Sequence, residues 1–450
     1  MSADTVLFNG KLLADEKVVD GCVTITKGRI SYVGRETYAP KAKERVNVER
    51  GLILPGLIDV HTHLRDLYLS EKEDFNTGTR SALAGGFTTV LDMPNSKPVT
   101  DTPDKLAEKI DLAKSKIVSN LGFFGAFDST LKQVKKMVQL GVIGFKVYAN
   151  KKEPFDGEDD RLIENALLYA KQENLPVAFH AEDLKTIERL ETRFKEQGEN
   201  SLQAFALSHP PIAEVRSVGR LLSLAQKTGT HVHFCHISTP ESLKLVSNAK
   251  VQGISVTCEA SPHHLLLSDE VVAERGGITI VDPPLRTRGE RLGLFDGLVH
   301  GQIDCIASDH APHTLGEKTQ GKVWNIPPGF PGLETTLPMM LTAVNKGMIP
   351  LKLMVETLTE KPAELFSLQG KGVLSKGFDG DITVVDTTKR FIIDPDDFQS
   401  KAKYSPFEDL EAIGKASKVF IKGRLVMDEG RILSDPGSAS VLLRGRSDLS

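Results

Sequence analysis

The sequence predicts an α/β protein, a (β/α)8 TIM barrel with a small composite β-sandwich domain formed by both termini. Three observations predict it. Eight short apolar runs alternate with polar-faced helical patterns through the middle of the chain. Alternating residues punctuated by glycine turns occupy the two ends. Side chains capable of acid-base or metal chemistry recur where the apolar runs finish, and strand ends in such a barrel meet at one mouth. The expected boundaries are 1–51 for the first half of the β domain, 52–372 for the barrel, and 373–450 for the second half plus a loose tail over the last dozen residues.

In chain order, VLFNGKLL and VTITKGRISYVG read as hairpins with Asn-Gly and Lys-Gly turns. The eight strand candidates are 54–63 (LPGLIDVHTH), 87–95 (FTTVLDMPN), 121–128 (LGFFGAFD), 141–149 (GVIGFKVYA), 175–182 (LPVAFHAE), 230–238 (THVHFCHIS), 254–264 (ISVTCEASPHH) and 302–310 (QIDCIASDH). Helical patterns at 104–115, 131–140 and 161–172 lie between them. Strand-helix alternation implies a parallel sheet, and eight units imply closure. An open doubly wound sheet is the competing topology, but no Gly-x-Gly-x-x-Gly follows the first strand. FDGDITVVD and VFIKGRLVMDEGRIL resume the hairpin pattern. The polar stretch TLGEKTQGKVWNIPP, residues 314–328, shows no periodicity and reads as a loop over the mouth that orders on substrate binding, with Trp324 as its reporter or a simple packing residue.

Composition excludes several function classes. A formal net charge of −4 over 450 residues argues against a nucleic-acid or anionic-membrane surface. No apolar run reaches the roughly 18 residues of a transmembrane helix, and the N-terminus lacks a signal-peptide pattern. Cys22, Cys235, Cys258 and Cys305 show no paired spacing and read as reduced and buried, which fits a cytoplasmic protein.

His61 and His63 stand two apart on a strand, so both imidazoles face one way and can grip a metal ion. Alone, the pair fits two half-exposed histidines equally well. His180 and His236 each end an apolar run and fit either a ligand or a hydrogen-bonded core histidine. Asp309 is more telling, because a carboxylate ending an apolar strand requires a cation or a dense set of donors. Lys146 lies inside GVIGFKVYA. It either snorkels outward, pairs with a carboxylate, or is a desolvated amine free to capture carbon dioxide as a carbamate. Arg65, two residues past His63, offers a fork for a carboxylate, or an ion pair with Asp66.

The stretches LPGLIDVHTHLRD, LAGGFTTVLDMPN, GFKVYAN, HAED, HFCHIS, VTCEASPHHLLLS, DPPLRT, IASDHAPH and PPGFPGLETTLPMML, in this order, resemble the dihydroorotases of the amidohydrolase superfamily. The resemblance implies a soluble zinc-dependent cyclic amidohydrolase of pyrimidine biosynthesis that interconverts dihydroorotate and N-carbamoyl-L-aspartate. It implies two Zn2+ per chain: His61 and His63 with Asp309 at one, His180 and His236 at the other, bridged by carboxylated Lys146 and hydroxide. Asp309 would be the catalytic acid-base. Arg65, Asn95 and His313 would hold the substrate carboxylate, with Asp282, Pro331 and Gly332 beside the substrate. A homodimer or other homo-oligomer and an association with aspartate carbamoyltransferase are implied partners.

Two departures from the family pattern stand out. LRD runs into LYLSEKED where relatives carry Pro-Gly, and Asp282 replaces an Asn and is expected to act through its backbone. His263 and His264 are expected to be structural. Allantoinase and hydantoinase or dihydropyrimidinase chemistry is the alternative, on neutral rings that need no anion pocket. A non-catalytic scaffold would lack metal ligands, and all six candidates are present.

Overall fold

The computed structural model describes residues 2–444. Strands β1 (Ala3–Ala14), β2 (Lys17–Thr26), β3 (Arg29–Gly34), β4 (Ala42–Asn47) and β5 (Leu52–Pro55) precede the barrel. The barrel strands are β6 (Leu57–Thr62), β7 (Phe87–Asp92), β8 (Asn120–Ala126), β9 (Gly144–Tyr148), β10 (Val177–His180), β11 (Val232–Phe234), β12 (Val256–Ala260) and β13 (Cys305–Ile306). After them come β14 (Ile382–Ile392), β15 (Glu411–Ile421), β16 (Arg424–Asp428), β17 (Arg431–Ile432) and β18 (Val441–Leu442).

Strands β6 to β13 pair in sequence order, each parallel to the next. Helices between them follow the expected apolar faces, at Pro103–Lys114, Val134–Leu140 and Asp160–Gln172 among others. Thr102 and Asp159 accept hydrogen bonds from the first-turn amides of the first and third, which fixes where those helices start. The barrel interior is filled by Ile58, Val60, Leu91, Phe124, Ala178, Cys235, Cys305 and Ala307, so the tube is a packed core.

The eighth strand is shorter than the sequence suggests. Regular pairing covers only Cys305–Ile306, and the barrel closes through a single parallel bridge from Thr62 to His310. Asp309, at φ 49°, leaves the extended region and breaks the ladder. A buried carboxylate replaces the missing pairing: Asp59 accepts from the backbone N–H groups of His61 and Ser308 at 3.0 Å each.

The termini build one composite sheet, as expected, in the order β17-β16-β15-β14-β5-β1-β2-β3, with β4 also on β1. Its shared core draws Leu7, Val23 and Ile25 from one end of the chain and Ile382, Val384 and Phe420 from the other. At the β1 bulge between Leu7 and Gly10, the parallel neighbour changes from β4 to β5. Strand β5 lies inside the expected barrel range yet pairs with β1 and β14, so this sheet reaches to Pro55. The described part of the expected tail is ordered. Val441 and Leu442 add to β8, because burying Leu442 against the barrel outweighs solvating an apolar turn of chain; residues 445–450 of that expectation lie outside the described residues.

Residues 314–328 are more structured than their composition suggests. Thr314 and Glu317 form a reciprocal capping box on a helical turn, Leu315–Thr319, a Thr-x-x-Glu signal readable in the sequence. The Trp324 indole N–H donates to the Glu199 carbonyl at 2.8 Å, under the Lys195 ammonium. The four cysteines are buried and free. Among the described residues, no helix is long and apolar enough to cross a membrane.

Candidate metal centre and substrate pocket

At the C-terminal mouth of the barrel, a cavity of about 190 Å³ is lined by His61, His63, Arg65, Asn95, His180, His236, Asp282, Asp309 and His313. The structure thus gathers residues from six barrel-strand ends that are up to 252 positions apart in sequence (313 minus 61). Tyr148, Asn150, Lys151, Pro328 and Gly329 complete the wall. Pro331 and Gly332 do not line it; the Gly332 N–H donates to His310 Nδ1 at 3.2 Å behind the wall. Gly329 occupies the position nearest the expected Pro-Gly contact. It sits at φ 123°, where a Cβ would lie 2.6 Å from the Ala311 carbonyl oxygen, so only glycine fits.

The ring nitrogens form two convergent groups. Asp309 Oδ1 lies 3.1 Å from His63 Nε2 and 3.4 Å from His61 Nε2. His180 Nδ1 faces His236 Nε2 at 3.1 Å. The far side of three rings is held by acceptors: Glu259 on His61 Nδ1, Asn95 Oδ1 on His63 Nδ1 at 2.6 Å, and Glu182 on His180 Nε2 at 2.9 Å. Each acceptor claims the ring N–H, so the opposite nitrogen presents a lone pair. Lone pairs of His61 and His63 therefore point at a carboxylate, acceptor against acceptor, a pattern that a proton on Asp309 or a shared metal cation satisfies. The spacing suits it, since two nitrogens on one tetrahedral zinc at about 2.0–2.1 Å are separated by roughly 3.3 Å.

Electrostatics agree with that reading. Burial holds His61, His63 and His236 below the ordinary imidazole range, well below it for the latter two, and the Lys146 charge lowers all three further. These rings are neutral, the form in which an imidazole can bind a metal. Burial raises Asp309, and His61 and Lys146 oppose the rise. Three residues of the site, Arg65, His236 and Asp309, sit at φ 60°, 30° and 49°, a conformation costing about 1–3 kcal/mol for a residue with a Cβ.

Lys146 points inward from β9. It is 2% exposed, its ammonium donates to Cys235 Sγ at 2.8 Å, and no carboxylate of the described residues lies within ion-pair distance. Snorkelling and a carboxylate partner are thereby removed as readings, leaving a buried amine at the cluster. Arg65 is equally short of a counter-ion. Asp66 pairs with Lys116 at 2.8 Å instead, and the Arg65 guanidinium, 8% exposed, touches only the Pro312 carbonyl and the His313 ring.

The Asp282 side chain is engaged within the protein. Its carboxylate lies 3.1 Å from His209 Nδ1 and 3.8 Å from His180 Nε2, and Asn150 donates to it at 3.4 Å. Despite a burial cost, Asp282 and Glu182 hold His209 well above the ordinary imidazole range, so His209 carries charge and fixes both acids. His263 and His264 are buried behind the cavity, as expected, with His264 Nε2 donating to the Pro283 carbonyl at 3.0 Å.

Glu259 and Glu182 escaped the sequence reading, although each ends an apolar strand as Asp309 does, and the same burial argument identifies them. Glu259 holds His61, His233 Nε2 at 3.0 Å and the His236 N–H at 3.1 Å. Against burial, which raises it, His61 and His233 keep it far below the usual carboxylate range. Glu259→Gln is expected to weaken metal affinity about 10–100-fold, read by competition with a chelator; unchanged affinity would remove Glu259 from this role.

Residues 52–426 match the amidohydrolase family. The chain is 36% identical to a protein of Methanothermobacter thermautotrophicus named dihydroorotase, over 97% of this chain and 96% of that one. It is 34% identical to a Pyrococcus furiosus protein of the same name, over 98% and 97%. Among solved structures, the L-hydantoinase (dihydropyrimidinase) of Arthrobacter aurescens superposes with a TM-score of 0.95 at 29% identity, covering 98% of this chain and 100% of that one.

Proposed function

The chain belongs to the amidohydrolase family, and on that premise we propose that it is a hydrolase acting as a dihydroorotase, interconverting (S)-dihydroorotate and N-carbamoyl-L-aspartate with two zinc ions. The observation that carries this reading is Arg65, a buried guanidinium in the cavity wall with no carboxylate partner among the described residues. A buried cation left unpaired is costly, and an anionic ligand offsets that cost. Hydantoins and dihydropyrimidines carry no such anion. Dihydroorotate carries a carboxylate on the same ring as the amide to be opened.

His61, His63 and Asp309 would hold one zinc and His180 and His236 the other, with Lys146, once carboxylated, between them. The bound ions supply Lewis acidity for the ring carbonyl and a water acidified to near neutrality. The chain's own groups do the rest. Arg65, with the His313 ring against its guanidinium, holds the substrate carboxylate, and Asn95, whose Oδ1 is committed to His63, turns its NH2 to the same anion. Asp282 is acceptor-only and suits a ring N–H. Asp309 takes the proton of the attacking water and delivers it to the leaving ring nitrogen. In the reverse direction the same carboxyl starts protonated, so ring closure gains at lower pH.

Arg65→Ala is expected to lower kcat/KM for dihydroorotate at least about 100-fold, the cost of truncating one partner of a buried charge pair. Turnover of a neutral hydantoin should change far less. A wild-type enzyme that opens hydantoins and leaves dihydroorotate untouched would overturn the proposal in favour of the activity named for the Arthrobacter aurescens structure.

A further inference from the structure

We propose that Lys72 is a positioning residue: it fixes the tautomer of His313 and so keeps the Arg65 fork free for the substrate carboxylate. The inference rests on the anion-binding role given to Arg65 above. Lys72 lies in the segment LYLSEKED, where the sequence leaves the family's Pro-Gly pattern. That segment brings Lys72 Nζ to 3.1 Å from His313 Nδ1 and 2.6 Å from Glu317 Oε1.

The argument is one of donors and acceptors. An ammonium has only hydrogens to offer, which calls for an accepting Nδ1, and the Pro328 carbonyl calls for a proton on Nε2; these two contacts outweigh the single one, from the donor-only Arg65 guanidinium, that an accepting Nε2 would satisfy. The ring proton then sits on Nε2, where the Pro328 carbonyl accepts it at 3.1 Å. Arg65 Nη2 lies 3.2 Å from the same Nε2. With Nε2 protonated, that approach is donor to donor, and Arg65 spends only its Nε–H, on the Pro312 carbonyl at 3.3 Å. Both terminal nitrogens remain unspent for a carboxylate. In the other tautomer the Nε2 lone pair would consume an Arg65 hydrogen, and the Pro328 carbonyl would face a lone pair.

The surroundings hold this state. Arg65, Lys72 and Lys318 are the cations around His313, and Glu317 Oε2 stands 3.9 Å from Nδ1. Burial and then these cations keep the ring neutral. Tyr404, on the segment between β14 and β15, accepts the His313 backbone N–H at 3.2 Å. Glu317 is itself fixed by the Thr314 capping box, so Lys72 is gripped from both sides.

The test uses full-length, metal-loaded enzyme labelled with 15N-histidine, with the His313 resonances identified by their loss in His313→Gln. Substrate-free wild type should show a protonated Nε2 and a bare Nδ1. Lys72→Met should move His313 toward the other tautomer. It should also raise KM for dihydroorotate about tenfold or more, the scale of one charge-assisted hydrogen bond, with kcat within about threefold. Lys72→Arg, which keeps a cationic donor, should restore both readouts. A wild-type Nδ1–H tautomer, or a Lys72→Met enzyme with unchanged tautomer or unchanged KM, would overturn the proposal. The tautomer is read without substrate, so a wild type inactive on dihydroorotate counts against the activity above, while the resonances still decide the role of Lys72.

Discussion

Asp309→Asn is expected to lower turnover by at least about 100-fold, toward the upper end of the 10²–10⁴-fold range typical of a positioned acid-base group. The substitution is close to isosteric, and Asn tolerates the left-handed backbone that Asp309 occupies at φ 49°. One oxygen still faces His61 and His63, so the protein should fold and keep part of its metal. What disappears is the ability to accept and return a proton. Burial already raises the proton affinity of this carboxyl, with His61 and Lys146 opposing the rise, so its surroundings act directly on the proton it would transfer. Steady-state turnover in both directions, normalised to metal content by elemental analysis, measures the effect. Near-normal turnover at full metal content would exclude Asp309 from proton transfer.

Lys146→Met should have a comparable effect through a different route. Methionine fills nearly the same volume, so the inward-facing space beside Cys235 stays filled. The amine is lost, and with it the anionic carbamate ligand that the proposed metal pair would use. On the proposed reading, the deprotonated amine of the wild type would attack the carbon of CO2 and one N–H proton would leave, giving a carbamate. Native mass spectrometry of wild type should therefore show one carbon dioxide per chain beyond the metal ions. In Lys146→Met that mass should be absent, metal content should fall from two ions to one or fewer, and turnover should drop at least about 100-fold. Full metal content together with full activity in the variant would dismiss the bridge.

The alternation of apolar runs and helical patterns was enough to read the barrel, because a period of two and a period of 3.6 are distinguishable locally. His61 and His63 were legible for the same reason, since a strand's pleat puts them on one side. The break in the eighth strand was not, because it depends on Asp309 adopting a left-handed backbone while Asp59, from the far side of the seam, takes over the Ser308 amide. The order of β18 was hidden in the same way: Val441 and Leu442 find a partner only in β8, some 320 residues earlier (441 minus 121). Glu259 and Glu182 carried a readable signal, a carboxylate at the end of an apolar strand, and it was passed over beside the histidines.

The sequence by itself determined which chemical groups this protein owns and that a parallel barrel would carry them to one rim: four imidazoles, an amine, a carboxylate and an arginine at strand ends. Tertiary structure alone decided what state those groups are in. Which nitrogen of His61 or His63 bears the lone pair is set by Glu259 and Asn95, and whether Arg65 is spent on Asp66 or left open is set by Lys116 and His313. The physical reason is that tautomer, charge and donor availability are properties of a group's neighbours at about 3 Å, and in this fold those neighbours come from distant parts of the chain.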